Sequence, residues 1–439
     1  MKSVDTLVHA RWVIPVTDGD PVLDYHSIAI HDGRILDILP TERARASYQA
    51  HVENDYTDHA LIPGLINSHT HTSMSLFRGI ADDLHLMDWL NNHIWPAEQQ
   101  WVDRDFVHDG TELAIAEMLR SGTTCFNDMY FFPDITARVA RDAGIRACVG
   151  LIVIDFPTVW ANDAEEYIEK GLKLRDQYRS DILIQTPFAP HAPFTVSDEP
   201  LKTIRMLSDE MDLPVHIHVH ETRDEIEQAV KATGKRPLAR LDELGLISPN
   251  LVAVHMTQLE DDEIELLAQS GAHVVHCPES NLKLASGYCP VQKLIDAGIN
   301  VALGTDGAAS NNDLNMFGEM HSAALLGKSV AGDASALSAE QALRMATING
   351  ARALGLDQHT GSLEVGKYAD MVAVDFNCLE LSPVYHPVSH LVYSAGREQV
   401  TDVWVAGKHL LKDRALTTLD EHKIINKARA WNDKIRANS

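Results

Sequence analysis

From about residue 60 onward, short apolar runs alternate with segments whose apolar positions recur at helical spacing, the pattern of βα units feeding a parallel sheet. LIPGLINSHTH precedes FVHDGTELAIAEMLRSG, TTCFNDMYF precedes DITARVARDAG, and IRACVGLIVID precedes AEEYIEKGLKLRDQY. The alternation continues with ILIQTPFAPH and EPLKTIRMLSDEM, PVHIHVHE and RDEIEQAVKATGKRPLARLDELG, and LVAVHMTQL and DDEIELLAQSG. HVVHCPESN with PVQKLIDAG, and NVALGTDG with SAEQALRMATING, complete the series at eight units. Eight units over roughly 300 residues fit a closed (β/α)8 TIM-type barrel better than an open sheet, whose edge strands would need covering. Glycines such as Gly144 and Gly271 stand where a left-handed residue ends a helix before the next strand.

The two ends of the chain follow another rhythm. SVDTLVHARWVIPV, SIAIHDGRILDILP, MVAVDF and VTDVWVAGKHLL are short β runs broken by Asp-Gly and Ala-Gly turns. The expected α/β architecture is therefore a barrel over residues 59–364, beside a small β-sandwich domain built from residues 1–58 and 365–439, the latter ending in a helix.

Composition narrows the partners. Lys plus Arg number 37 against 63 Asp plus Glu, a formal charge of -26, which repels phosphate backbones and anionic lipid surfaces. No window reaches eighteen apolar residues and no export signal opens the chain, so neither nucleic acid nor membrane is an expected partner, and a cytoplasmic location is. Homo-oligomerisation stays open. Five cysteines are scattered without a CxxC pair (Cys125, Cys148, Cys277, Cys289, Cys378), the usage of buried thiols rather than of disulfides or a cysteine metal site.

The 23 histidines change the picture most, because many of them close apolar runs. In a barrel the active site lies at the C-terminal ends of the strands. That rule collects His69 and His71 on strand one, His191 on strand four, His218, His220 and Glu221 on strand five, His255 on strand six and Asp306 on strand eight. Residues i and i+2 of a strand face the same side, so His69 and His71 can reach one ion. An imidazole from strand five and the Asp306 carboxylate complete a set of three nitrogens and one oxygen. Such a set suits Zn²⁺, with Fe²⁺ or Mn²⁺ acceptable, and leaves a position for water. An HxH alone is a weak signal; HxH, HxxE, a strand-end His and TDG in order, each on its own strand, are a strong one. His216, His218 and His220 share one face by period two, and spacing alone does not choose among them.

Taken together, PGLINSHTH, HVHET, VHMTQL and LGTDGAASNN resemble the metal motifs of the amidohydrolase superfamily, and GSLEVGKYADMVAVD resembles its return to the small β domain. LFRGIADDLHLMDWLNNHIWPAE, FAPHAPFTVS and HCPESNLKLASG are similar to the group of 5-methylthioadenosine/S-adenosylhomocysteine deaminases. The resemblance, which covers essentially the whole chain, implies that His69, His71, His218 and Asp306 hold one divalent metal ion, with the HxxE spacing selecting His218. It implies that Glu221 carries the proton and that His191 and Glu98 contact the nucleoside. ILIQTPFAPH lacks the lysine that two-metal members carboxylate, which implies a mononuclear site. Arg78 and Lys283 also fall in matching motifs, where a structural role in the loops is at least as good a reading.

The implied reaction is hydrolytic deamination at C6 of an adenine nucleoside. Asp306 takes a proton from the attacking water, His255 polarises or orients that water, and Glu221 protonates the ring nitrogen beside C6. For the 5' group, DFPTVWANDAEE offers Phe156, Val159 and Trp160 with only acids. That favours methylthioadenosine over S-adenosylhomocysteine or adenosine. Deamination of guanine or another aminated heterocycle, hydrolysis of a cyclic amide, and a catalytically silent scaffold are the alternatives.

Overall fold

The structure, a computed structural model, describes residues 1–17, 19 and 21–437. Its centre is a set of parallel strands in two hydrogen-bonded sheets. The four-stranded sheet holds the first strand (Leu65–Thr70), the second (Thr123–Asp128), Arg146–Val149 and Ile184–Gln185. The six-stranded sheet continues with Leu151–Val153 and Phe188–Pro190, which extend the third and fourth strands past breaks at Gly150 and at Thr186-Pro187. It then takes in the fifth (Val215–Val219), sixth (Leu251–His255), seventh (His273–His276) and eighth (Asn300–Leu303) strands. The sheets therefore divide where a closed ring of paired strands was expected. Gly150 explains one break: a Cβ there would meet Ala189 Cβ at 2.6 Å and the Asp128 carbonyl at 2.7 Å.

At the other seam the eighth strand lies against the first. A Cβ on Gly304 would come within 2.8 Å of His69, so only glycine permits this approach. The Asp306 N–H donates to the His69 carbonyl at 3.0 Å.

Helices cover the outside of the strands, and two stretches depart from the expected rhythm. Residues 72–101 form a run of short helical turns, including a π-helical turn at Trp89–Ile94 and a helix at Trp95–Trp101. Between the eighth strand and the expected SAEQALRMATING helix lies a further helix, Met316–Ala331. Its sequence has no polar stripe because Phe317, Met320, Ala323 and Ala324 are all buried, and a helix apolar on several sides shows weak periodicity.

The terminal segments join in one mixed eight-stranded sheet rather than the two separately bonded sheets of a sandwich. The reason is the 16-residue strand Tyr48–Pro63, which runs on past residue 58. It pairs in parallel with Lys2–Val13 on one side and antiparallel with Met371–Asp375 on the other. The sheet coils until its wings pack through Val8, Ile30, Ile35, Met371 and Trp404. The C-terminal helix Glu421–Arg436 docks on Arg104–Arg120 by Trp431 Nε1 donating to Asp109 at 3.0 Å. Among the described residues no helix is long and apolar enough to cross a membrane.

One buried ion pair ties the coiled sheet to the parallel strands. Arg146, on the third strand, donates from Nε to Asp370 at 2.9 Å and from Nη2 at 3.2 Å. Both side chains are at most 2 % exposed. Asp370 also accepts the Ala406 N–H at 2.6 Å. Asp370→Ala would leave the guanidinium buried beside an empty acceptor, so it is expected to destabilise the fold by about 3–5 kcal/mol. A urea-unfolding midpoint within error of the parent protein's would refute that role.

Candidate metal centre and active site

Six strand ends converge at the C-terminal mouth. His69 and His71 project from the end of the first strand, His218 from the fifth, and Asp306 from just beyond the eighth. Nε2 of His69 lies 3.2 Å from Nε2 of His218 and 3.3 Å from Oδ1 of Asp306, and Nε2 of His71 lies 3.2 Å from the same oxygen. Two ligands of one tetrahedral zinc ion at about 2.1 Å each stand about 3.4 Å apart. The separations fit a shared ion.

The far side of each of these groups explains its aim. His71 donates from Nδ1 to the Met129 carbonyl at 2.6 Å, and His218 from Nδ1 to the His191 carbonyl at 2.7 Å. In the neutral rings this leaves Nε2 as the lone-pair atom. His69 Nδ1 meets Nε2 of His216 at 3.0 Å. His216 therefore lies behind His69 and not among the converging groups. Asp306 accepts at Oδ2 from Ser280 at 2.6 Å and Ser310 at 2.9 Å, and at Oδ1 from the Gly307 N–H at 2.8 Å. Burial pushes its carboxyl up, but His69 and His71 outweigh that and hold it well below the usual carboxylate range.

His220 leaves the group. Its backbone has φ +55°, its Nε2 accepts the Leu238 N–H at 3.1 Å, and its Nδ1 stands 3.6 Å from Glu263. The turn brings Glu221 to the mouth instead. Both oxygens of Glu225 accept there, from the N–H groups of His220 at 3.2 Å and Glu221 at 2.7 Å, while Thr257 donates to the Glu221 carbonyl at 2.7 Å. Burial raises the Glu221 carboxyl, with His255 opposing. His255 Nε2 lies 3.7 Å from Glu221 Oε2, and its Nδ1 donates to Asn281 Oδ1 at 2.9 Å. The His255 ring stacks on His218 at 5.5 Å.

Above these groups opens a cavity of about 500 Å³. His71, His218, Glu221, His255 and Asp306 form its floor, and Glu98 and His191 its polar sides. Burial, more than the charges of His71 and His69, pushes His191 down to about 3 and so keeps the imidazole neutral. Burial also lifts Glu98 to about 7, against the lowering effects of Tyr130 and His71. The remaining wall is apolar: Leu86, Trp89, Ile94, Trp95, Phe156 and Val159. No lysine or arginine is among the lining residues.

Arg78 and Lys283 are structural. Arg78 pairs with Glu117, which also takes Arg397 at 3.1 Å. Lys283 pairs with Asp82 at 2.6 Å and bonds Asn312. Sequence reasoning missed the supports: Ser280 and Asn281 inside HCPESN, Ser310 inside GTDGAAS, and Glu225. It also missed that residues 86–95 supply much of the wall, since that stretch has no regular period.

A family model described as the amidohydrolase family matches residues 60–410. A 5-methylthioadenosine/S-adenosylhomocysteine deaminase of Saccharophagus degradans is 54% identical over 435 residues, 99% of this chain and 97% of that protein. A 5'-deoxyadenosine deaminase of Methanothermobacter thermautotrophicus is 44% identical over 404 residues, covering 92% and 93%. The crystal structure of an adenosine deaminase from Xanthomonas campestris with bound zinc superposes with a TM-score of 0.98 at 53% identity, covering 99% of each chain.

If His218 supplies one of the four donors, His218→Ala should weaken zinc binding by more than the roughly 10- to 100-fold lost when a ligand's supporting hydrogen bond is removed. Elemental analysis after dialysis against a chelator measures this; parent-like zinc retention would remove His218 from the set.

Proposed function

The chain belongs to the amidohydrolase family, and on that premise we propose that it hydrolyses the 6-amino group of an adenine nucleoside, releasing ammonia, with 5'-methylthioadenosine as preferred substrate. The observation that carries this reading is the meeting of three imidazole nitrogens and one carboxylate oxygen on the floor of a cavity whose next polar group is the raised carboxyl of Glu221. In this reading His69, His71, His218 and Asp306 hold one divalent ion, zinc by preference. When bound, such an ion supplies Lewis acidity and brings the pKa of water from 15.7 to about 7.

The protein's own groups do the rest. Burial raises the Glu221 carboxyl, which favours the acid form that donates to the ring nitrogen beside C6 as that carbon becomes tetrahedral. His255, donating from Nδ1 to Asn281, presents Nε2 towards Glu221 and orients the attacking water. Ser280 and Ser310 hold Oδ2 of Asp306, fixing the carboxylate that accepts the water's proton. Glu98 and His191 bind the nucleoside from the cavity sides. The apolar wall takes the 5' substituent.

The same reading joins the two parallel sheets into one closed (β/α)8 barrel over residues 59–364, flanked by a β domain of residues 1–58 and 365–439. The hydrogen bond from Asp306 to His69 and the close seat of Gly304 on His69 support closure. Five free cysteines suit a reducing, cytoplasmic compartment.

Two measurements test the reading. Glu221→Gln keeps the shape but fixes an amide where the transferable proton was; it should retain zinc and lose roughly 10²- to 10⁴-fold in kcat, and parent-like turnover would strip Glu221 of its role. Because the lining has no cation for an amino-acid carboxylate, kcat/KM for 5'-methylthioadenosine should exceed that for S-adenosylhomocysteine by roughly tenfold or more, the equivalent of one missing charged hydrogen bond. Equal or better turnover of the larger nucleoside would overturn the 5' assignment.

A further inference from the structure

The opposite end of the parallel strands carries a second cavity, of about 430 Å³. It opens where the fourth to seventh strands begin, between Gln185, Pro214, Asn250 and His273, far along the strands from the metal centre. Three arginines line it: Arg175 and Arg179 at the end of the helix Ala164–Tyr178, and Arg352 at the end of the helix Ile348–Ala353. Cations are favoured at helix C-termini, which accounts for the positions of the arginines but not for a guanidinium left without an acceptor.

Nε of Arg175 is shut away from solvent and has no hydrogen-bond partner. A buried guanidinium N–H without an acceptor is costly to the fold, and such an atom marks a place for a ligand or an ion. The local acids do not fill it. Asp181, which also lines the cavity, accepts the Leu183 N–H at 2.8 Å, and neither Asp181 nor Asp212 comes within salt-bridge distance of the three arginines. Burial lowers the His273 imidazole, with Asp357 opposing and Arg352 adding to the shift. Three guanidinium groups thus face two carboxylates in a chain of formal charge -26.

We infer that this cavity binds a small phosphate-bearing anion through Arg175, Arg179 and Arg352. Guanidinium forks match tetrahedral oxyanions by paired N–H donors. Tyr178, Leu213 and Leu354 give the body of a phosphate ester an apolar face. The cavity's size is that of a small-molecule site.

The test titrates the zinc-loaded full chain with inorganic phosphate by calorimetry, against chloride at matched ionic strength. Saturable phosphate binding is expected, weakened roughly tenfold or more, the worth of one charge-assisted hydrogen bond, in Arg179→Gln/Arg352→Gln. Both positions are exposed, so this variant should fold and keep parent turnover. Arg175→Gln should weaken binding further. Absence of saturable binding would overturn the site. So would parent-like phosphate affinity in the double variant, or phosphate competing with the nucleoside regardless of the arginines, which would place the anion at the metal centre.

Discussion

The constraint on which the rest of this structure depends is the burial of several converging imidazoles around one carboxylate. Three imidazole nitrogens and a carboxylate oxygen meet within 3.2–3.3 Å where water is nearly excluded, and Asp306 is only 5 % exposed. A buried carboxylate without a cation costs several kcal/mol. The chain therefore has to hold the four groups in place before any ion lowers that cost. It does so from behind: the Met129 and His191 carbonyls, the His216 ring and the Ser280 and Ser310 hydroxyls each take the atom that faces away from the meeting point. All of these supports except Ser310 come from a different strand or loop than the group they hold. The site and the tertiary fold are the same set of hydrogen bonds seen from two sides.

The strand ends bend to serve this arrangement. His220, His255 and Asp306 have φ of +55°, +77° and +64°, a region that costs non-glycine residues on the order of 1–3 kcal/mol each. The reversal at His220 interrupts the period of two. His216 and His218 stay on the inner face, His220 is sent into a pocket with Leu238 and Glu263, and Glu221 takes the place at the mouth. Glu225 and Thr257 clamp the bent backbone on both sides. The inverted backbone at His255 likewise sets its ring flat against His218, so one strained turn positions Glu221 and another positions the group facing it.

Much of this was legible in the sequence because successive parallel βα units convert order along the chain into position at one end of the strands. Strand-end polar residues could be collected by rule, and His69, His71, His218, His255 and Asp306 do meet. Period two could not exclude His216 and His220, since what excludes them is a hydrogen bond behind His69 and a left-handed turn, neither of which leaves a periodic trace. Glu98 was visible only through resemblance, because residues 72–101 fold as short turns with no repeating face. The helix Met316–Ala331 escaped for the opposite reason, having too much buried surface to show a polar side. The division of the parallel strands into two sheets depends on Gly150 and Pro187, where local close packing and a missing N–H decide the pairing.

The distribution of charge gives the two ends of the strands different tasks. At the mouth the lining carries three carboxyl groups and no lysine or arginine, and of the three Asp306 is held below the usual carboxylate range while burial raises Glu98 and Glu221. Such a field, with apolar walls that keep the local dielectric low, disfavours anionic ligands and leaves a neutral nucleoside as the guest that loses least on entry. The same field favours a divalent cation over the protons that would otherwise occupy the imidazoles. At the far end the arginines invert the sign. The two cavities share no lining residue, so an anion at one end and the cation at the other would be held by separate sets of side chains.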